Sequence, residues 1–194
     1  MTKSNDQARI APLPPAEWPD DARALLTADL GPGSPLGAAR LGDLNLFTTV
    51  ARHPRPLRPW LLLGRALVMG AALPFADREL LILRTGLRCG SAYEWGQHAR
   101  IAVEGGIPRA VVDRVAAGPG APGWSEREAL LLHAADELHD GASIGDATWA
   151  GLAAHLDERQ LVEVPMLVGY YHLVAYLANA LRVAPEAGLE ALPR

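Results

Sequence analysis

From Leu44 onward, apolar residues recur at three- and four-residue intervals, the spacing that lines one face of an α-helix, and no stretch alternates in the two-residue rhythm of a strand. Turn-forming residues cut this pattern at His53-Pro54 and Pro56, at Gly70 to Pro74, at Gly105 to Pro108 and at Gly118 to Gly123. The intervening pieces predict helices over about 44–52, 57–70, 75–88, 92–104, 108–117, 126–139, 147–155 and 158–182. The first 40 residues differ, carrying Pro12, Pro14, Pro15, Pro19, Pro32 and Pro35, so that only a short piece around Asp20 to Leu30 has helical character. The pattern predicts an all-α chain, with residues 1–40 as an arm that wraps a helical domain over 41–194.

Helix starts are marked by polar residues. Ser125-Glu126-Arg127-Glu128 matches a capping box, and Asp157-Glu158-Arg159-Gln160 is a close variant. Glu79 has no such explanation: Ala76 stands where its capping partner would be, and Pro74 suits the first helical position. The neighbouring Leu80, Leu81, Ile82 and Leu83 leave the helix no clear polar face, which predicts that it is buried nearly all round and that Glu79 needs a partner. Asp77-Arg78-Glu79-Leu80-Leu81 is echoed by Glu158-Arg159-Gln160-Leu161-Val162, a register that sets His98 opposite Asn179 and suggests two related helical hairpins, each with a polar pair. Leu161 to Leu181 is the most apolar stretch; Glu163, Pro165, His172 and Asn179 within it favour a buried helix over a membrane span. Its Tyr170, Tyr171 and Tyr176 suit a subunit interface as well as a core.

Composition narrows the classes. At 194 residues, 49% hydrophobic and 21% charged, the chain is long enough for one packed domain. A net charge of -4 with dispersed basic residues argues against nucleic-acid binding. The single cysteine, Cys89, excludes an intramolecular disulfide, and the N-terminal residues lack the apolar core of a signal sequence, so a cytoplasmic location is expected.

Candidate chemistry gathers at residues 91–98, SAYEWGQH. Ser91, Glu94 and His98 share a helix face at i, i+3 and i+7, yet Ser91 and Glu94 also fit a capping box. Glu79 lies 19 residues before His98, across the turn signal Cys89-Gly90-Ser91, and an antiparallel pair of helices would bring the two within reach. If Glu79 and Glu94 both approached His98, carboxylate repulsion and burial would raise one carboxyl pKa and make an acid–base triad. A core histidine donating to a carbonyl is the alternative for His98, and core packing is the alternative for Trp95. His133, Asp136, Glu137 and Asp140 in HAADELHD share a face that a divalent metal could occupy, although a solvated face with a His–Glu pair explains it without an ion. His172 beside Tyr170 and Tyr171 points to a pocket or an interface. The chain has no dinucleotide fingerprint, P-loop or zinc spacing.

The string LPFADRELLILRTGLRCGSAYEWGQHARIAVEGGI resembles the core of the carboxymuconolactone decarboxylase family, which includes the alkylhydroperoxidase D-like proteins. The resemblance runs on through Ala135-Asp136-Glu137-Leu138, Asp146-Ala147-Thr148-Trp149, His155-Leu156-Asp157-Glu158-Arg159, Tyr171-His172 and Asn179-Ala180-Leu181, most of residues 44–183. It implies an all-α alkylhydroperoxidase D-like bundle and a homo-oligomer, trimer or hexamer. The peroxidase-like branch has a glutamate, then Cys-x-x-Cys, then a histidine four residues later; here Glu79 and His98 match, while Ser91 and Glu94 occupy the cysteine positions. A dithiol mechanism needs an attacking and a resolving thiol, and neither residue supplies one. The decarboxylase branch needs no cofactor. The resemblance thus implies a cofactor-independent lyase that decarboxylates, or moves a proton on, a small cyclic carboxylated substrate. Glu79, Glu94 and His98 would be catalytic, Ser91, Trp95, Tyr171 and His172 would bind substrate, Arg84 or Arg88 would hold its carboxylate, and no metal is implied. An alkylhydroperoxidase-like oxidoreductase and a non-catalytic oligomeric binding protein remain the alternatives.

Overall fold

The computed structural model describes residues 8–28 and 39–193, which contain helices and connections but no strand. Among those residues the α-helices are α1 (Asp20–Leu26), α2 (Asn45–Val50), α3 (Pro54–Met69), α4 (Phe75–Arg88), α5 (Ala92–Glu104), α6 (Arg109–Ala117), α7 (Glu126–Gly141), α8 (Asp146–His155) and α9 (Glu158–Leu181). The boundaries fall close to those the periodicity predicts, with one physical exception. Helix α3 starts at Pro54, three residues ahead of the predicted start and inside the proline-marked break. Pro54 and Pro56 occupy the first turn, where backbone N–H groups have no intrahelical acceptor, so a missing donor costs nothing there. Pro59 does lie inside the helix, and burial of Leu57, Trp60, Gly64 and Leu67 offsets the lost bond.

Helix α4 is the centre of the molecule, packed against α5, α6, α7 and α9, and every residue from Asp77 to Gly86 is buried. Of its buried charges, Asp77, Glu79 and Arg84 have partners on neighbouring helices, while Arg78 lies beside Glu79 of its own helix. Asp77 pairs with Arg127, and Arg84 makes a bidentate contact to Asp136 at 2.6 and 2.8 Å while donating to the Val115 carbonyl at 3.0 Å. Both predicted capping boxes, Ser125 with Glu128 and Asp157 with Gln160, are complete.

Helix α9 is long and apolar enough to cross a membrane by length and composition alone, and half of its most apolar window is buried inside the protein. Leu161, Val164, Leu167, Val168, Tyr170, Tyr171 and Val174 face the core, whereas Val162, Met166, Leu173 and Tyr176 are exposed. The expectation of a buried helix therefore holds for one side only. The suggested second hairpin is absent, because Glu158–Leu181 is one continuous helix: Gln160 and Asn179 stand about 28 Å apart along it and form no pair. Gln160 instead donates to the Ala72 carbonyl, and Asn179 to that of Cys89.

The described part of the arm is built into the core. Trp18, Ala22 and Leu26 belong to the main apolar cluster, and α1 packs on α3. Residues 1–7 and 29–38 of the predicted arm, including Leu30 at the end of its predicted helix, lie outside the described residues.

Candidate active site

The site is built at the α4–α5 junction. Gly90, at φ +61°, takes the left-handed conformation that ends α4; its N–H donates to the Leu87 carbonyl at 3.0 Å, and the Ser91 N–H donates to that of Gly86 at 2.8 Å. This paired closure requires a residue that tolerates positive φ. Ser91 then opens α5, its Oγ accepting from the Glu94 N–H at 3.5 Å. A full capping box would also need the Glu94 carboxyl to accept from the Ser91 N–H. That N–H is already committed to Gly86. Half of the cap exists, and the Glu94 side chain is left free of it.

Across the junction, His98 Nδ1 lies 2.7 Å from Glu79 Oε2. Glu79 is completely buried and His98 is 8% exposed. The carboxylate oxygen accepts from Nδ1–H, which fixes the tautomer and leaves Nε2 as the nitrogen able to act on a ligand. The edge of the pair is held by Tyr171, whose ring meets the imidazole in a T-shaped contact at 4.9 Å, and Arg78 Nε lies 3.7 Å from the other Glu79 oxygen.

Glu94 is buried, and neither carboxyl oxygen has a hydrogen-bond partner among the described residues. Burial pushes its carboxyl well above the usual range, favouring the protonated acid. Desolvation alone does this. The expected repulsion from Glu79 is not the cause, because Glu79 is engaged by His98 and Glu94 stands apart from that pair. The arrangement is a bonded Glu79–His98 pair and a separate neutral acid.

Glu94 and His98 open onto one cavity of about 380 Å³. Its walls are mostly apolar: Leu25 and Ala28 follow from the arm, Leu44 and Phe47 come from the α2 region, Trp60 and Val68 from α3, and Tyr170, Tyr171 and Val174 from α9. Exposed Arg58 and Arg65 stand at its edge. The helical spacing of Glu94 and His98, four apart on α5, is what aims both into the same space.

Other expected site residues lie elsewhere. Tyr171 lines the cavity, but Ser91, Trp95 and His172 do not. Trp95 packs in a second apolar cluster with Leu80, Leu83 and Val112 on the far side of α5. Ser91 is spent on the helix start. His172 faces α7, where its Nε2 lies 3.0 Å from His139 Nδ1. Neither Arg84 nor Arg88 reaches the cavity; Arg84 is bound to Asp136, and Arg88 donates to Asp140 at 2.5 Å. Those ion pairs also dissolve the supposed metal face of HAADELHD, whose Glu137 accepts from Gly145 N and Thr148 Oγ1 at the start of α8. Burial pushes the Cys89 thiol up to about 11, with nearby Glu94 adding to the effect and Arg88 opposing it.

Several residues that shape the site had no signal in the sequence. Glu186, beyond α9, accepts from Tyr93 Oη at 3.1 Å, Gln97 Nε2 at 2.5 Å and Asn45 N at 2.7 Å, tying the C-terminal tail to the cavity wall. Gly86 lets α5 approach α4: a Cβ there would sit 3.2 Å from the Cβ of Glu94 and 3.5 Å from its Oε2. Gly64 makes room for Tyr170, whose Oη would lie only 2.2 Å from an added Cβ, without freedom to shift through the buried stack on Trp60.

Residues 54–137, which include α4, α5 and the Glu79–His98 pair, match the family model described as carboxymuconolactone decarboxylase family. That segment of the chain is thus similar to the carboxymuconolactone decarboxylase family. No curated protein matches the chain in sequence. Among solved structures, an uncharacterized peroxidase-related protein from a Silicibacter species is 19% identical, with 97% of each chain covered and a TM-score of 0.74. A cysteine-to-alanine variant of the debrominase Bmp8, in complex with 2,3,4-tribromopyrrole, is 15% identical with a TM-score of 0.74 over 92% of this chain and 91% of the other. A putative antioxidant defence protein AhpD from Agrobacterium tumefaciens is 18% identical with a TM-score of 0.67, over 71% of this chain and 95% of the other. These likenesses establish the alkylhydroperoxidase D-like fold.

Proposed function

We propose that this protein is a cofactor-independent lyase of the carboxymuconolactone decarboxylase family that decarboxylates, or moves a proton on, a small cyclic carboxylated substrate. The observation that carries the reading is the coexistence, on one apolar cavity, of a histidine oriented by a buried glutamate and a buried carboxyl with no hydrogen-bond partner among the described residues. A buried carboxylic acid and an imidazole with one nitrogen free, facing the same space, are what proton transfer requires. In decarboxylation the bond to the departing carboxyl breaks, and its electron pair moves onto a neighbouring carbonyl as an enolate. Glu94 protonates that enolate oxygen; as protonated His98, steadied by Glu79, delivers a proton to the carbon, the carbonyl re-forms and the oxygen's proton returns to Glu94, and His98 regains its own from solvent. For isomerisation, His98 Nε2 removes a proton from one carbon and returns it to another while Glu94 again donates to the oxygen. An apolar ring suits the cavity walls, and Arg58 and Arg65 suit an anionic group at the edge.

The test is turnover of a panel of carboxylated lactones and β-keto acids, followed by carbon dioxide release and product analysis. Glu79→Gln and His98→Asn should each lower turnover by about 10²–10⁴-fold while remaining folded. Retained turnover in both would end the proposal. The single cysteine separates this reading from a thiol peroxidase, since a dithiol cycle needs a second one. Hydroperoxide reduction by the wild type that disappears in Cys89→Ser would favour the oxidoreductase instead.

A further inference from the structure

Three side chains with metal-binding donors converge from three helices at the end of α4, and none of them lines the cavity. Cys89 caps α4, His139 lies in the last turn of α7, and His172 projects from the middle of α9. Cys89 Sγ is 3.8 Å from His139 Nδ1, His139 Nδ1 is 3.0 Å from His172 Nε2, and the three donor atoms all lie within 4.8 Å of one another. Tetrahedral zinc, with bonds of ~2.3 Å to sulfur and ~2.0–2.1 Å to nitrogen, separates its ligands by roughly 3.6 Å for S···N and 3.3 Å for N···N. Two of the three separations are thus within a few tenths of an ångström of a coordinated set, and modest side-chain rotation closes the third.

The surroundings favour an ion over a simple hydrogen-bonded cluster. His139 Nδ1 carries either a proton or a lone pair, so it serves only one of its two neighbours well as a hydrogen-bonding atom. A metal placed among the three would use all of them. His172 Nδ1–H donates to the Val168 carbonyl at 2.8 Å, which turns the Nε2 lone pair toward the cluster, as the outer partners of metal-bound imidazoles do. Asn179 Nδ2 holds the Cys89 carbonyl at 2.8 Å, anchoring the thiol's backbone. The neighbouring cation, Arg88, is balanced by Asp140 at 2.5 Å and Asp136 at 3.7 Å. All three donors are partly exposed, so an ion can enter from solvent and a water can complete its coordination.

We propose that Cys89, His139 and His172 form a thiolate and bis-imidazole site for a borderline divalent ion of the zinc class, with one position open to water. Thiolate plus imidazole selects such ions over calcium or magnesium, which take oxygen ligands. Bound there, the ion clamps the end of α4 to α7 and α9. The site is independent of the proposed lyase activity.

Cobalt(II) titration of the full chain, freed of metal by chelation, tests it. The expected result is one equivalent bound, with visible bands of four-coordinate cobalt and a thiolate-to-cobalt charge-transfer band, all displaced by zinc. Cys89→Ser should lose the charge-transfer band, and it, His139→Ala and His172→Ala should each weaken binding at least about tenfold. His133→Ala, exposed on α7, should bind like wild type. Circular dichroism and thermal melts establish that each variant is folded. Absence of stoichiometric binding by the wild type overturns the proposal, as does an unchanged affinity and spectrum in Cys89→Ser or in both ligand-histidine variants.

Discussion

Glu94→Gln separates burial from catalysis in a single substitution. In the unfolded chain the Glu94 carboxyl titrates near its ordinary 4.5, and in the folded protein burial raises it well above that. Between those two values the folded state holds a proton that the unfolded state has released. Stability is therefore fully present below about pH 4.5 and declines as pH rises through the window, the reverse of a salt-bridged carboxylate. The slope is about 1.4 kcal/mol per pH unit while the two states differ by one proton, and it vanishes above the folded pKa. Glutamine occupies the same volume, cannot titrate, and contributes no such slope. For a chain of this size, ~1 kcal/mol moves the melting temperature by about 2–4 °C, so the variant should gain roughly 3–5 °C on the wild type for each pH unit above about 4.5. Paired thermal melts by circular dichroism from about pH 4 to about pH 8 measure it. Parallel curves would refute the claim that Glu94 is held neutral by desolvation. The same variant should lose turnover by about 10²–10⁴-fold, since an amide offers no titrating proton. A widening stability gap with unimpaired turnover would keep the electrostatics and remove Glu94 from the mechanism.

Ser91→Ala should cost about 0.5–1 kcal/mol in urea denaturation, the lower part of the range for helix caps, because the bond its Oγ accepts is long at 3.5 Å; a loss beyond about 2 kcal/mol would mean that Ser91 does more than start α5. We also expect a homo-oligomer, trimer or hexamer, formed over the exposed Val162, Met166, Leu173 and Tyr176, which recur on α9 at four-, seven- and three-residue steps. Sedimentation at micromolar concentration should show the assembly, and Met166→Glu with Leu173→Glu should dissociate it; a monomeric wild type would count against the interface.

Much of this architecture was written in local pattern. Apolar periodicity and capping residues placed α4 to α9 within a few residues, because helix formation depends on neighbours three and four positions away. The same local rule put Glu94 and His98 on one face, and the unexplained Glu79 in an apolar helix pointed across the turn to His98. Where prolines misled, at the start of α3, the reason was also local: the first turn of a helix needs no donors.

Tertiary structure decided everything that depends on which way a side chain turns and what waits there. Ser91 and Glu94 read equally as a cap or a site until the chain closure at Gly90 took the Ser91 N–H for Gly86, and no periodicity reports that competition for one donor. Trp95 and Glu94 are sequence neighbours, yet one enters a solid core and the other an open cavity, because adjacent residues on a helix point about 100° apart. Sequence alone paired Glu137 with His133, while packing gave Glu137 to the start of α8 and His139 to His172. The contacts from Glu186 to Tyr93 and Gln97 and from Cys89 to His139 join residues 50 to 93 positions apart. Their energy arises only once the helices are packed, so the sequence determined which faces could carry chemistry, and the packing of α4 against its neighbours determined which of those faces meet.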